Sequence, residues 1–210
     1  MVHVATDRDH GDLAPRAGGP ALQQRREAVN SAPWTWLNQV HGATVVRVTR
    51  PGEHAGAAAD AAVTAVRGVP ISVQTADCAP VLLWADDAVG VAHAGWRGLM
   101  AGVIEATAAA MAALGHAPKG AVLGPCIRPR CYEFGADELE EVVRRYGPEV
   151  AATTGWATPA LDLAAAVVAA CSSIGLELVD DGTCTACSPR HWSHRAGGDP
   201  QRQALVAWLR

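Results

Sequence analysis

The stretch that decides the fold is VPISVQTADCAPVLLWADDAVGVAHAGWRGLM, residues 69–100. It contains three short apolar runs in succession, and the last two are joined at a pair of aspartates. The runs do not alternate cleanly between apolar and polar residues, which is typical of strands that are covered on both faces. The stretch therefore predicts three buried strands, VPISVQTA, PVLLWA and AVGVAHA.

Strands are bunched rather than strictly alternating with helices along the rest of the chain. Residues 44–50 are rich in β-branched residues and predict a strand. Residues 98–115 predict the clearest helix, with Pro118 beyond its end. We predict one α+β domain over residues 1–210, with helices packed outside a sheet or a pair of sheets. Further helices are predicted for ADELEEVVRRYG and ALDLAAAVVAACSSIG, and further strands for AAVTA and GAVLGP. A strand followed by a turn is predicted for LELVDDGTCTA, and a strand or a helix for RQALVAWLR.

The composition is that of an ordinary globular protein. The chain has 210 residues, of which 50% are hydrophobic and 18% charged, and this argues against disorder. A net charge of -4 gives no electrostatic reason to expect nucleic acid or a membrane surface as a partner. No apolar run reaches the roughly 18 residues that span a bilayer, and the N-terminal segment lacks the apolar core of a signal peptide. We expect a cytoplasmic protein in which most of the six cysteines are reduced, namely Cys78, Cys126, Cys131, Cys171, Cys184 and Cys187.

Two histidines and one cysteine stand at predicted turns or strand ends. His41 precedes a glycine ahead of a strand, Cys78 lies between two strands, and His93 ends the run AVGVAHA. Each has an ordinary explanation, since turn histidines face solvent and buried cysteines pack as small apolar side chains. Together they are a ligand set suited to Zn²⁺ or copper, and three protein ligands leave one position open, as in catalytic zinc sites. A metal-free hydrolase with Cys78 as the nucleophile is a further alternative.

Arg97 stands at the start of a predicted helix and is flanked by Gly95 and Gly98. A helix start favours anions through its free N–H groups and its dipole, and a guanidinium adds charge and paired hydrogen bonds. The pattern therefore predicts a phosphate or carboxylate site. The alternative is an arginine that lies over Trp96 or faces water.

The remaining cysteine motifs allow several interpretations. In GPCIRPRCYEFG, Cys126 and Cys131 could form a disulfide or a metal pair, but two reduced loop cysteines are the simpler interpretation. In CTACSPRHWSH, a CxxC pair is followed by His191 and His194, which suggests zinc. The spacing between the pairs is much shorter than in zinc fingers and argues against it.

Several motifs, in order along the chain, resemble the YfiH-like proteins. That family is described as multicopper polyphenol oxidase or laccase-domain proteins, and as purine nucleoside phosphorylases with adenosine deaminase activity. The resemblance runs from about residue 34 to the C-terminus, whereas residues 1–33 are shorter than the corresponding family segment and differ from it. The motifs are NQVHG, ADAAVTAVRGVPISVQTADCAPVLLW, VAHAGWRG, GPCIRPRCYEFG, LDL followed by CT, and SHR.

The resemblance implies a mixed β-sandwich core with flanking helices. It also implies that His41, Cys78 and His93 are metal ligands, with Zn²⁺ as the expected ion and Cu²⁺ as the alternative. The implied activities are phosphorolysis of adenosine, inosine, guanosine and methylthioadenosine, and hydrolytic deamination of adenosine. A copper-dependent polyphenol oxidase and a peptidoglycan editing factor that removes wrongly incorporated serine are the alternatives. The expected partners are a nucleoside and phosphate, and no protein partner is evident.

Five residues are assigned roles in such a reaction. Asp77 is the nearest carboxylate to Cys78 in sequence and is the candidate proton shuttle. Arg97 is expected to hold phosphate, and Arg195 in the SHR motif is a second cation candidate. Asn38 and Gln39 are expected to hydrogen-bond the purine or the ribose, and a purely structural role in their turn is equally compatible with the sequence.

Overall fold

Thirteen strands and six helices, numbered in chain order, make up the computed structural model, which describes all residues from Met1 to Arg210. The strands are β1 (Val2–Ala5), β2 (Leu37–Asn38), β3 (Val45–Arg47), β4 (Ala57–Ala58), β5 (Ala61–Thr64), β6 (Ile71–Thr75), β7 (Ala79–Trp84), β8 (Val89–Ala94), β9 (Gly120–Leu123), β10 (Ala151–Thr153), β11 (Pro159–Leu161), β12 (Leu178–Asp180) and β13 (Gln203–Trp208). The helices are α1 (Gly19–Val29), α2 (Trp96–Met100), α3 (Val103–Ala113), α4 (Ala136–Tyr146), α5 (Leu163–Ser173) and α6 (His194–Gly197).

Two larger sheets form the centre of the molecule. The six-stranded sheet has the order β12-β9-β7-β8-β5-β3, with parallel pairs only at its two edges. The three-stranded sheet has the order β1-β13-β6 and is antiparallel throughout. The chain passes from the second sheet to the first between β6 and β7, in the segment that contains Cys78. Two short pairs, β2-β4 and β10-β11, complete the strand pairing.

Side chains on both faces of each sheet are buried, and this explains the unbroken apolar runs. Along β7, Leu82 belongs to the apolar layer between the two sheets, whereas Val81 and Leu83 belong to the layer beneath helices α2 to α5. Along β13, Leu205 belongs to the layer between the sheets and Val206 to a smaller layer that includes α1 residues. The order of layers is α1, three-stranded sheet, six-stranded sheet, and helices α2 to α5. The predicted mixed β-sandwich with flanking helices is confirmed.

The single helix predicted for residues 98–115 is wrong, because the structure has two helices there. Helix α2 ends before Gly102, which has a left-handed φ of 82°, and α3 begins at the next residue. A left-handed residue cannot continue a right-handed helix, so the chain changes direction at this glycine. None of the helices is both long and apolar enough to cross a membrane.

The two ends of the chain pair with each other. Strand β1 lies antiparallel to β13, with Val2 opposite Trp208. The C-terminal run RQALVAWLR, which fitted a strand or a helix, is therefore the central strand of the three-stranded sheet. The divergent N-terminal segment contributes both this edge strand and α1 to the packed structure.

Candidate functional site

The three predicted ligands come together beside the hairpin formed by β7 and β8. Cys78 directly precedes β7, and His93 lies near the end of β8. Because Pro80 pairs with His93 across the hairpin, the register brings Cys78 close to this histidine. His41 reaches them from the turn after β2, where its backbone adopts a left-handed φ of 60°.

The ligand atoms of His41, Cys78 and His93 all lie within 4.8 Å of one another. The Cys78 Sγ is 4.0 Å from Nε2 of His41, and the two imidazole rings meet edge to face with centroids 4.8 Å apart. His93 is 3% exposed, whereas His41 is exposed and Cys78 is partly buried. The cluster therefore opens towards solvent on the side of His41.

Asp60, which is fully buried, organises this cluster from behind. Its carboxylate lies 2.9 Å from Nδ1 of His93. It also accepts hydrogen bonds from three consecutive backbone N–H groups, at 3.2 Å from Val40, 2.9 Å from His41 and 2.7 Å from Gly42. One carboxylate thus fixes both the His93 ring and the turn that carries His41. This arrangement leaves Nε2 of His93 as the ring nitrogen available to a metal, as in carboxylate–histidine–metal triads.

The charges within the cluster support a thiolate ligand. Burial raises the pKa of the Cys78 thiol, but the charge of His93 and hydrogen bonding to His41 outweigh burial and lower this pKa to about 6. Burial lowers the pKa of His93, but the Cys78 thiolate and the Asp60 carboxylate raise it to about 9. Both shifts act in the same sense, since each favours the charged form of its group, a thiolate at Cys78 and an imidazolium at His93.

The cluster lines a cavity of about 370 Å³, and a larger cavity of about 600 Å³ shares part of its lining. Three residues line both, namely Gln39, Gln74 and Arg202. The smaller cavity is also lined by the three predicted ligands and by Thr75, Ala76 and His194. The larger one is also lined by Ala14, Pro15, Arg16, Trp36, Leu37, Asn38 and Gly56. Volumes of this size suit a small organic ligand.

Two buried polar atoms at the end of β6 have no hydrogen-bond partner within the chain. They are Oε1 of Gln74 and Oγ1 of Thr75, and both residues line the cavity that contains the ligand cluster. A buried polar group without a partner costs about 1–3 kcal/mol. Each such group calls for an explanation, and a water molecule, an ion or a ligand in the adjacent cavity would supply the missing hydrogen bond.

Two of the predicted site residues are already bonded to the protein. The Asp77 carboxylate accepts hydrogen bonds at 2.6 Å from the Thr185 hydroxyl and at 2.6 Å from the Arg195 backbone N–H. The Gln39 amide donates to the Gln74 carbonyl at 2.7 Å and accepts from the Gln74 N–H at 2.8 Å. Asp77 thereby holds the start of α6, and Gln39 extends the pairing of β6.

Arg97 and Arg195 line a separate cavity of about 510 Å³ together with Trp96, Glu133, Phe134, Gly135 and Glu138. The Arg97 guanidinium lies over the Trp96 ring at 4.5 Å, and the Arg195 guanidinium lies over the Tyr132 ring at 4.9 Å. Neither guanidinium has a carboxylate within 4.0 Å. Helix α2, which carries Arg97, has only five residues, so any anion affinity here depends on the two guanidinium groups.

Sequence patterns did not single out several residues that border the ligand cluster. They are Asp60, Gln74, Thr75 and Arg202, whereas His194 was considered only as part of a zinc motif. One signal was available for Asp60, because a lone aspartate between AAA and AAV in a buried segment must find a partner. Gln74 and Thr75 end β6, Arg202 precedes its partner strand β13, and His194 begins α6, so the tertiary fold and not a local pattern brings them together.

Cys126 and Cys131 form neither a disulfide nor a metal pair with each other, which agrees with the simpler interpretation of their motif. Cys131 lies with Cys184 and Cys187, and the sulfur atoms of the three lie within 4.8 Å of one another. Cys126 is fully buried and stands outside this group. Nδ1 of His191 is 2.9 Å from the hydroxyl of Ser188. The CxxC pair is thus completed by a distant cysteine and not by the two histidines that follow it.

The fold and the site together define a class of α+β proteins with a sandwich core and a His–Cys–His cluster at a cavity. Residues 20–210 match the family model described as multi-copper polyphenol oxidoreductase laccase, and the chain belongs to this family.

Known proteins are similar to this chain over most of its length. A Streptomyces coelicolor protein named purine nucleoside phosphorylase is 44% identical over 195 residues, which are 90% of this chain and 80% of the relative. The crystal structure of a Neisseria meningitidis protein matches with a TM-score of 0.84 at 30% identity, covering 99% of this chain and 93% of that one. The Bacillus licheniformis hypothetical protein YfiH shares the fold, with a TM-score of 0.74 at 23% identity over 90% of this chain and 81% of that one. The resemblance to YfiH-like proteins is confirmed.

Proposed function

We propose that this protein is a purine nucleoside phosphorylase that depends on a metal ion at His41, Cys78 and His93. The observation that carries the proposal is the cavity beside this cluster. Two of the residues that line it, Gln74 and Thr75, each have a buried polar atom without a hydrogen-bond partner in the chain. The printed name of the Streptomyces coelicolor relative supports the same class of reaction. In this reaction phosphate attacks the anomeric carbon of the ribose, the glycosidic bond breaks, and the purine leaves with a proton.

The ligand set fits Zn²⁺. Imidazole and thiolate are both common zinc ligands, and Asp60 orients His93 so that Nε2 faces the cluster. The lowered pKa of the Cys78 thiol favours the thiolate that a metal requires. A bound Zn²⁺ ion supplies Lewis acidity at this position. Cu²⁺ is the alternative ion for the same set.

The nucleoside is assigned to these two adjacent cavities. A rotation of the Gln74 or Thr75 side chain would present its polar atom, which is buried in the ligand-free chain, to a ribose hydroxyl or a purine amine. Trp36 and Asn38 line the larger cavity and offer an aromatic face and an amide to the base. Because the Gln39 amide is bonded to β6, we assign it to holding Gln74 in place.

Phosphate is assigned to Arg97 and Arg195, because these guanidinium groups share a cavity and have no carboxylate partner. The N-cap of α2, Gly95, packs against the ligand cluster, so this helix links the phosphate site to the metal site. In Arg97→Ala we expect the KM for phosphate to rise about tenfold or more, since a charged hydrogen bond contributes about 1.5–3 kcal/mol, with the KM for nucleoside little changed. Arg145→Ala is the matched control, because Arg145 also stacks on an aromatic ring but lies outside this cavity.

Adenosine deamination is a second candidate activity at the same site, and His194 is the observation that favours it. This histidine lines the cavity of the ligand cluster without belonging to the cluster. We assign proton transfer to His194 and a positioning role to Asp77, whose carboxylate is bonded to Thr185 and to the N–H of Arg195. Loss of inosine formation in His194→Ala, with zinc content unchanged, is the expected result.

The experiment that tests the proposal incubates zinc-loaded protein with adenosine, inosine, guanosine or methylthioadenosine, with and without phosphate. We expect the free base and the ribose 1-phosphate product only when phosphate is present, and inosine from adenosine in either case. Cys78→Ala should abolish these reactions, whereas Cys171→Ala, at a buried cysteine in α5, should retain them. Absence of turnover by protein carrying one zinc at this cluster would overturn the proposal, and phenol oxidation by the copper-loaded protein would favour the oxidase alternative.

A further inference from the structure

A second cluster of three cysteines lies away from the His–Cys–His cluster. Cys131 ends the short turn Pro129–Cys131, and Cys184 and Cys187 form the CxxC turn that follows β12. Their sulfur atoms lie within 4.8 Å of one another, and those of Cys131 and Cys187 are 3.2 Å apart. We propose that these three cysteines bind a second metal ion, a thiophilic cation of the Zn²⁺ type.

The dimensions of the cluster suit such an ion. Zinc–sulfur bonds of about 2.3 Å in tetrahedral geometry place neighbouring sulfurs about 3.8 Å apart. The sulfur atoms of Cys131 and Cys187 are 3.2 Å apart, and no sulfur separation in the cluster exceeds 4.8 Å. The cluster therefore has about the dimensions of a zinc site with three sulfur ligands.

The three cysteines differ in exposure but share one place on the surface. Cys131 and Cys184 are partly buried and Cys187 is exposed, so an ion can reach the sulfur atoms from solvent. Thiolates as close as these repel one another, and a cation among them removes that repulsion.

A metal explains the third cysteine better than a disulfide does. A bond between Cys131 and Cys187 would release two protons and two electrons to an oxidant and would leave Cys184 unused. Metal binding engages all three sulfurs and needs no oxidant.

A small cavity of about 200 Å³ adjoins the cluster at Cys131. Cys131 and Ala186 line it, together with Trp156 and Arg195. Three protein ligands therefore leave a position that a water molecule or a small exogenous ligand can occupy.

The proposed site also supports the first cluster. Thr185 lies within the CxxC turn, and its hydroxyl donates to Asp77, the neighbour of Cys78. The backbone at Cys184 pairs with that at Cys126. An ion bound to the three cysteines would therefore hold in place the loop that anchors Asp77.

The test measures zinc per chain in protein purified under reducing conditions, saturated with Zn²⁺ and freed of excess. We expect one zinc to remain in Cys78→Ser, which disables the first cluster, and none in Cys78→Ser/Cys187→Ser. Cys187 is exposed, so its loss should leave the fold intact, as circular dichroism can verify. Co²⁺ bound to Cys78→Ser should show thiolate-to-metal charge-transfer absorption that disappears with Cys187→Ser.

Cys78→Ser/Cys126→Ala is the matched control, because Cys126 lies in the same loop as Cys131 but outside the cluster, and it should retain one zinc. Zinc content that is the same with and without Cys187 would overturn the proposal. So would a Cys131–Cys187 disulfide that persists in the reduced wild-type protein, detected by mass spectrometry. Both readouts are independent of nucleoside turnover.

Discussion

The carboxylate of Asp60 lies 2.9 Å from Nδ1 of His93, and both side chains are almost completely buried. The same carboxylate binds the three N–H groups of the turn at residues 40–42, so two of the three candidate ligands depend on one aspartate. The hydrogen bonds from His93 and from Gly42 lower the pKa of Asp60 despite its burial, which raises it. Asp60 therefore remains ionised and makes His93 more basic.

Asp60→Asn should weaken metal binding at the His–Cys–His cluster. An amide is neutral, and only its oxygen accepts hydrogen bonds, so it cannot satisfy the turn and His93 together. Loss of such an outer partner typically reduces metal affinity about 10- to 100-fold. The zinc dissociation constant, measured by competition with a chromophoric chelator, should rise by this factor in a background that lacks Cys187.

Asp162→Asn provides the control for this substitution. Asp162 caps α5 by accepting a hydrogen bond from the Ala165 N–H, and asparagine is an equally good cap. Its zinc affinity should match that of the unsubstituted protein. If Asp60→Asn bound zinc as tightly as Asp162→Asn does, the proposed orienting role of Asp60 would be wrong.

Gly95→Ala should disturb the ligand cluster through steric contact alone. A Cβ atom at Gly95 would stand 3.0 Å from Cys78 Sγ and 3.0 Å from His41 Cδ2, while the backbone φ of -69° suits alanine. Zinc affinity should therefore fall about tenfold or more, since ligand positions must stay close to ideal, with little change in thermal unfolding of the apo protein.

Gly68→Ala should lower thermal stability without affecting zinc affinity, which is the opposite of the result expected for Gly95→Ala. No atom lies within 4 Å of a Cβ at this position, but the backbone φ is 73°, which costs an alanine about 1–2 kcal/mol. Its unfolding temperature should fall while zinc affinity is retained. Equal zinc affinity in Gly95→Ala and Gly68→Ala would contradict the steric argument.

The sequence was sufficient to predict the parts of the fold that depend on local pattern. The apolar runs gave the strands near Ile71–Thr75, Ala79–Trp84 and Val89–Ala94, because strands buried on both faces need no polar alternation. His41, Cys78 and His93 were named together as one ligand set, and the structure brings them together. Their metal-binding role stays a prediction.

Contacts between distant segments could not be predicted in the same way. Nothing in the local sequence indicates that Asp60 bonds both His93 and the turn at His41, or that Cys131 joins the CxxC pair. These relations follow from strand register and from loops that meet across the sandwich. The apolar pattern continues through Gly102, so it does not reveal that the helix breaks there. The left-handed conformation of this one residue causes the break.

The hydrogen bonds of Asp7 should make stability depend on pH. Burial raises the pKa of this carboxyl, but hydrogen bonds from His10 and Arg190 outweigh it and lower the pKa below the ordinary value of 3.8. A carboxyl with a lowered pKa in the folded state stabilises the protein above its unfolded pKa, and this contribution is lost as the pH falls. Asp7→Asn should therefore reduce the free energy of unfolding at pH 7, and the difference should shrink below about pH 4.

Urea unfolding at several pH values between 3 and 7 measures this dependence. Asp86→Asn is the control, because Asp86 pairs with Lys119 where both side chains are largely exposed, and such pairs contribute little. A stability difference for Asp7→Asn that is independent of pH would assign the effect to packing and not to ionisation.

Thr75→Val separates a substrate-binding role from a structural one. Valine has the shape of threonine but lacks the hydroxyl, which is buried and has no partner within the chain. Removing an unsatisfied polar group should raise the free energy of unfolding of the ligand-free protein, by up to about 1–3 kcal/mol. If the hydroxyl bonds the nucleoside, kcat/KM should fall about tenfold at the same time.

Thr107→Val is the matched control, because the Thr107 hydroxyl donates to the Val103 carbonyl at 2.6 Å. Loss of this hydrogen bond should lower stability while leaving kcat/KM unchanged. A Thr75→Val protein that is more stable and equally active would show that the hydroxyl does not contact the substrate.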